Sequence, residues 1–230
     1  MSGSVDVSVI MPVCAWPTPA DVSGAPHPQL LRALNSVVAA TEPYHSLRGV
    51  SCELLVGVDG HVPRVVEAVS AWAAAHPQVR TRVECFERSA TVTFGNRQRN
   101  RFLDQGPAGR LIVWQDQDDQ FYPYALTRAV ARAEASPGHP LIFKMRLYHN
   151  PRAPTVLWQT KGRVECGHIG GHMLVAPNEP GLLGRWEPET LYEADFAYIS
   201  QTLERFRAAG REAVWCDEFI SMLRPAASGL

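Results

Sequence analysis

Three aspartates crowd the run Asp116-Gln117-Asp118-Asp119, directly behind the apolar segment RLIVWQ at 110–115. The apolar run reads as a buried strand, and the FYP at 121–123 reads as a turn into a helix. Carboxylates gathered at a strand end repel one another and lose hydration when partly buried. A hard divalent cation relieves both costs, and oxygen donors of this kind suit Mg²⁺ or Mn²⁺. An ion held there would most naturally neutralise a phosphate-bearing substrate. Taken alone, the four residues also fit a solvated turn that caps the following helix. Their place between a buried strand and an aromatic turn favours the metal.

The elements around this cluster alternate. VSVIMP at 7–12 is a short apolar strand, followed by a Pro-rich loop over 13–28. Leu30, Leu34, Val37 and Val38 recur at helical spacing. CELLVGV at 52–58 is a second strand, closed by Asp59 and Gly60. Val62, Val65, Val66, Val69 and Trp72 mark a second amphipathic helix, and 79–86 a third strand. A helix over 96–105 ends at Gly106-Pro107, and the fourth strand covers 111–115. Apolar strands separated by helices predict an α/β fold with a mostly parallel central sheet flanked by helices. Ligands of such sheets bind beyond the C-terminal strand ends, where Pro12, Asp59 and the aspartate cluster converge. The second half reads as a helix over 124–135, strands over 141–148, 156–159 and 172–176, and a loop over 177–188. A long helix then carries Phe196, Ile199, Leu203 and Phe206, and a last strand covers 213–216.

Composition narrows the class. With 230 residues and a net charge of −1, the chain has an ordinary globular composition and room for a sizeable core. Its basic residues are scattered, so nucleic acid and anionic membrane are not expected partners. There is no signal-peptide pattern and no apolar stretch of transmembrane length, which predicts a cytoplasmic protein. The five cysteines form no CxxC pair and read as reduced thiols. Cys166, His168 and His172 have short spacing but no evident fourth ligand, which argues against zinc.

Several segments, in order, resemble the family 2 glycosyltransferases. VSVIMP at 7–12 is similar to that family's opening strand, and LRALNSV at 31–37 to its first helix. LLVGVDG at 54–60 resembles its strand ending in Asp-Asp-Gly-Ser, QRN at 98–100 its Ala-Arg-Asn segment, and QDQDDQFYP at 115–123 its metal motif. The resemblance covers most of the chain, with no internal boundary. It implies a single GT-A-like domain over 1–230, with a nucleotide-binding half at 1–122 and an acceptor-side half at 123–230. It also implies an activity: metal-dependent transfer of a sugar from a nucleotide-diphosphate sugar to a carbohydrate or small-molecule acceptor, with inversion.

By the same resemblance Asp118 and Asp119 bind Mg²⁺ or Mn²⁺, and Asp116 contacts the ribose or supports the site. Pro12 and Asp59 hold the base, and Arg99 lies near the base or phosphates. Gly171 and His172 belong to the glycine loop where donor sugar and acceptor meet. YEAD at 192–195 is similar to the acidic helix start whose aspartate, here Asp195, is the general base. The chain departs from the pattern at Val58-Asp59, at His61 and at Ala194-Asp195, where acidic or serine partners are missing. These departures keep a second expectation open: a catalytically degenerate GT-A-fold protein that binds a nucleotide sugar or a protein partner. Helix geometry separately favours Asp195 over Glu193 as the inward carboxylate. At about 100° per residue, Asp195 lies roughly 60° from the centre of the apolar stripe and Glu193 roughly 100°. Arg97, Arg99 and Arg101 cannot share one face, so at least one is a surface charge. Trp158, Trp186 and Tyr192 are candidates for stacking on a sugar.

Overall fold

The structure is a computed structural model that describes residues 4–13, 28–88, 95–148, 155–157, 162–187 and 193–225. Among these residues, nine strands form one mixed sheet, with the path β3-β2-β1-β4-β8-β6-β9-β5 and β7 added on β6. The strands are β1 (Val5–Val13), β2 (Cys52–Asp59), β3 (Val79–Phe86), β4 (Gly109–Trp114), β5 (Gln120–Phe121), β6 (Leu141–Leu147), β7 (Thr155–Leu157), β8 (Leu174–Pro177) and β9 (Val214–Leu223). The helices are α1 (Pro28–Thr41), α2 (Pro63–Ala75), α3 (Asn96–Gln105), α4 (Ala125–Ala135) and α5 (Ala194–Ala208).

The first half is parallel throughout: β2 joins β1 and β3, and β4 joins the other side of β1. The second half is mixed. β8 runs antiparallel to β4 and β6, whereas β9 runs parallel to β6. β1, β2 and β4 read as apolar runs because both of their faces are covered, whereas the edge strand β3 is only partly buried. Val7, Val9, Met11 and Val13 pack with α1, α2 and α4, while Ile10 packs with Phe102 of α3 and Tyr198 and Ile199 of α5. That alternation is the period of two that a strand imposes. The chain returns past β1 between β3 and β4, so the C-terminal ends of β1 and β4 form the switch point where a crevice opens.

Three sequence expectations shift. The last strand is far longer than 213–216, running to Leu223 and pairing with β5, which the sequence reading took as turn. Residues 171–173 form a 3₁₀ turn ahead of β8. The apolar stripe of α5 is centred on Tyr198 and Thr202 as well as Ile199 and Phe206, with Phe196 and Leu203 only partly buried. Thr202 tolerates the core because its hydroxyl donates to the Tyr198 carbonyl and accepts the Gly184 N–H. Residues 158 and 192 and the Pro-rich segment at 14–27 lie outside the described residues.

Candidate active site

The aspartate run leaves β4 as a tight turn, with the Asp119 N–H donating to the Asp116 carbonyl at 3.2 Å. Gln115 ties this turn to α1. Its amide donates to the Asp119 carbonyl, the Ala33 carbonyl and Ser36 Oγ at 3.1, 3.2 and 3.1 Å. The turn therefore has little freedom, and its side chains are aimed by the backbone.

Asp119 points inward and is 2% exposed. Its Oδ2 lies 2.9 Å from His172 Nε2, and its Oδ1 accepts the Arg224 N–H at 2.8 Å. Asp116 lies at the edge, and its N–H donates to the same His172 nitrogen at 3.0 Å. Asp116, Asp119 and His172 thus offer ligand atoms within 4.8 Å of one another. Asp118 turns the other way, with its Oδ2 3.3 Å from Arg224 Nε. Of the two aspartates expected to bind metal, Asp119 is in this cluster and Asp118 is at its rim. Asp116 and His172 complete it. Among the described residues, Cys166 and His168 are exposed and take no part in any such cluster.

The electrostatics describe a site short of positive charge. Burial pushes Asp118 up to about 6, helped by Asp119 and Asp116 and opposed by Arg224. Burial also raises Asp119, although His172 pulls it down. Burial works against a charged His172, but Asp119, Asp116 and Asp195 outweigh it and carry the imidazole up to about 9. His172 Nδ1 is buried without a hydrogen-bond partner. Its Nε2 faces a conflict: as an acceptor it opposes the Asp119 oxygen, and as a donor it opposes the Asp116 N–H. A bound cation supplies what these groups lack, so the donor set fits a divalent metal.

Asp195 approaches from α5. Glu193 is exposed, and Asp195 is the half-buried member of the pair, as the helical geometry predicts. Asp195 Oδ2 accepts the Gly171 N–H at 3.0 Å. Asp116, His172 and Asp195 line one cavity of about 400 Å³, together with Asn96, Arg99, Gly170 and Arg224. The two acidic regions, distant in sequence, therefore share a cleft.

Arg99 is buried behind Asp116. Its Nη2 donates to Asp116 Oδ1, and its Nη1 donates to Asn96 Oδ1 at 3.0 Å. Arg97 and Arg101 are exposed, as their position on the helix requires. Pro12 is packed inside β1. A Cβ on Gly95 would sit 2.2 Å from Pro12 Cβ, so Gly95, at φ +80°, is the residue that lets α3 start there. Asp59 lines a separate cavity of about 410 Å³ with Gly60, His61, Cys85 and Arg88. Trp186, a sugar-stacking candidate by sequence, is 1% exposed and cannot present its face to a ligand. Arg224 is the residue that sequence reasoning missed. The signal was the apolar FISML at 219–223, which continues β9 past an acidic pair and delivers Arg224 beside the cluster.

No family model and no curated protein matches the chain. Its fold is that of GT-A glycosyltransferases. S. aureus TarS superposes with a TM-score of 0.66 at 15% identity, over 95% of this chain and 36% of that one. TarS 1–349 in complex with UDP-GlcNAc gives 0.64 at 15% identity, over 95% and 58%. The mannosyltransferase PcManGT from Pyrobaculum calidifontis, in complex with GDP-Man and Mn²⁺, gives 0.60 at 16% identity, over 98% and 59%. This chain therefore spans between about a third and three-fifths of those proteins. Among the described residues, no helix is long and apolar enough to cross a membrane.

Proposed function

We propose that the chain is a metal-dependent glycosyltransferase, acting in the cytoplasm, that moves a sugar from a nucleotide-diphosphate sugar to an acceptor hydroxyl with inversion. The observation that carries this reading is the shared cavity: Asp116 and His172 of the acidic cluster face the same space as Asp195. The UDP-GlcNAc and GDP-Man held by proteins of the same fold support a nucleotide-sugar donor, and the Mn²⁺ of PcManGT supports a metal.

In this reading Asp116, Asp119 and His172 hold the cation, and Asp118 stands beside it. Mixed carboxylate and imidazole donors favour Mn²⁺ over Mg²⁺, which prefers oxygen and retains its water. The ion, when bound, neutralises charge on the leaving diphosphate. Asp195 takes the acceptor proton; the Gly171 N–H fixes Oδ2 and leaves Oδ1 for the incoming hydroxyl. Gly171 also keeps this contact close, since a Cβ there would come within 3.3 Å of Asp195 Oδ1. Pro12 and the Asp59 cavity belong to the base side, in the half spanning 1–122, and the acceptor occupies 123–230. The acceptor is a carbohydrate or another small hydroxyl compound.

Incubation with UDP-, GDP- and dTDP-sugars plus Mn²⁺ should release nucleoside diphosphate, faster with acceptor present. NMR of the product should show the inverted anomer. Absence of both turnover and nucleotide binding across the panel would overturn the proposal.

A further inference from the structure

The proposed reaction needs two carboxylates held at a constant separation, Asp116 beside the cation and Asp195 beside the acceptor. We infer that Trp186 is a positioning residue whose single buried indole sets both, Asp116 through Arg99 and Asp195 through Gly171. The inference rests on the function proposed above.

The backbone of Trp186 is pinned to α3. Asn100 Oδ1 accepts the Trp186 N–H at 2.9 Å, and Asn100 Nδ2 donates to the Trp186 carbonyl at 2.7 Å. One residue on, Asn96 Nδ2 donates to the Glu187 carbonyl at 2.9 Å. The ring is fixed as firmly. It stacks on Tyr198 at 4.7 Å and 11°, and meets Trp114 edge-on at 5.1 Å. These contacts leave the indole one orientation.

From that position it reaches both arms of the site. The Arg99 guanidinium lies over the ring, 4.3 Å from its centroid, with Asn96 on one nitrogen and Asp116 on another. A planar fork held by a π face and an amide has little freedom to turn its Nη2 away from Asp116. On the other side, a Cβ at Gly171 would lie 2.8 Å from Trp186 Cη2. The indole is thus the floor on which Gly171 rests, and Gly171 supplies the N–H that orients Asp195. Neither sequence spacing nor the metal cluster alone accounts for a tryptophan in this place. The two contacts together do.

The test compares Trp186→Phe, Trp186→Leu and Arg99→Lys with the wild type, each first shown to be folded by circular dichroism and thermal melting. Mn²⁺ binding is read without donor, from the electron paramagnetic resonance of free Mn²⁺. Rates are read at saturating Mn²⁺. Trp186→Phe keeps an aromatic face and should bind Mn²⁺ nearly as the wild type does. Trp186→Leu and Arg99→Lys should each weaken Mn²⁺ binding by about tenfold, the scale expected when a residue behind a ligand is lost. Trp186→Leu should also lower kcat at saturating Mn²⁺, by about 10- to 100-fold with donor KM little changed, because it loosens the Asp195 arm as well. A folded Trp186→Leu that matches Trp186→Phe in both readouts overturns the inference while leaving the proposed function intact. Should Trp186→Leu fail to fold, unchanged Mn²⁺ affinity in Arg99→Lys does the same. A wild-type chain that binds neither Mn²⁺ nor nucleotide overturns the proposed function, and this role with it.

Discussion

Asp6 and Asp119 are both buried aspartates at opposite ends of the β1–β4 pair, and they live in opposite electrostatic worlds. Asp6, at the start of β1, is ringed by donors. Arg48 gives it hydrogen bonds of 2.9 and 3.0 Å, Arg110 one of 2.8 Å, and Ser51 donates both N–H and hydroxyl at 2.9 Å. Its carboxyl is held far below the usual carboxylate range, first by Arg48, against the cost of burial, and then by Arg110 and Ser51. Asp119, beyond the end of β4, has one imidazole and one N–H, and burial, with Asp116 beside it, raises its pKa. A buried charge whose partners are all present is a structural device. A buried charge that lacks them is waiting for a ligand.

That contrast can be broken or sharpened experimentally. The largest effect is expected at the acceptor carboxylate. Asp195→Asn should lower kcat by about 10²- to 10⁴-fold, the usual worth of a general base, with unfolding stability little altered. Next comes the charge-starved end. Asp119→Ala should weaken Mn²⁺ binding by about 100-fold in a direct titration, and Asp118→Asn by less, because Asp118 lies outside the three-residue cluster. Neither change should destabilise the fold as much as a change at the satisfied end. There, Asp6→Ala should cost about 2 kcal/mol in urea unfolding, because it strands Ser51 donors and separates two arginines from their anion. Its Mn²⁺ affinity should equal that of the wild type.

The smallest effect is a pH dependence at Asp6. A carboxyl whose folded pKa lies below its unfolded value of about 3.9 contributes stability above that pH, and the contribution fades as pH falls toward the folded pKa. The stability gap between wild type and Asp6→Asn should therefore be full near neutrality and shrink steadily below about pH 4. A gap that widened in acid would mean that Asp6 is not ion-paired.

The regular first half was readable because β1, β2 and β4 are buried along most of their length, the edge strand β3 alternates apolar and polar residues, and each helix is amphipathic. β3 runs over Val79–Phe86 and α3 over Asn96–Gln105, the ranges expected from pattern alone. The second half was less readable, for two reasons. β5 has only two residues and exists through its pairing with Met222 and Ser221, which no local pattern encodes. Acidic Asp217 and Glu218 interrupt the apolar run of β9, and they are accommodated by Lys144 of β6 and Arg132 of α4. At the site, the residue types were legible but their partnerships were not. Arg99 was expected at the nucleotide; the fold bonds it to Asp116 and leaves it in the lining of the same cavity. His172 was expected in a glycine loop and also faces Asp119.

By itself the sequence determined which residues are chemically unusual: three clustered carboxylates behind a buried strand, and one inward aspartate opening a helix. Local periodicity and side-chain chemistry suffice for that, since both are written in neighbouring positions. Only the tertiary structure decided which carboxylate is inward, which is rimmed by Arg224, and that Asp195 lies across one cavity from Asp116. Those facts depend on strand order and on contacts between residues far apart in the chain, where a rotation of one side chain exchanges a ligand for a bystander.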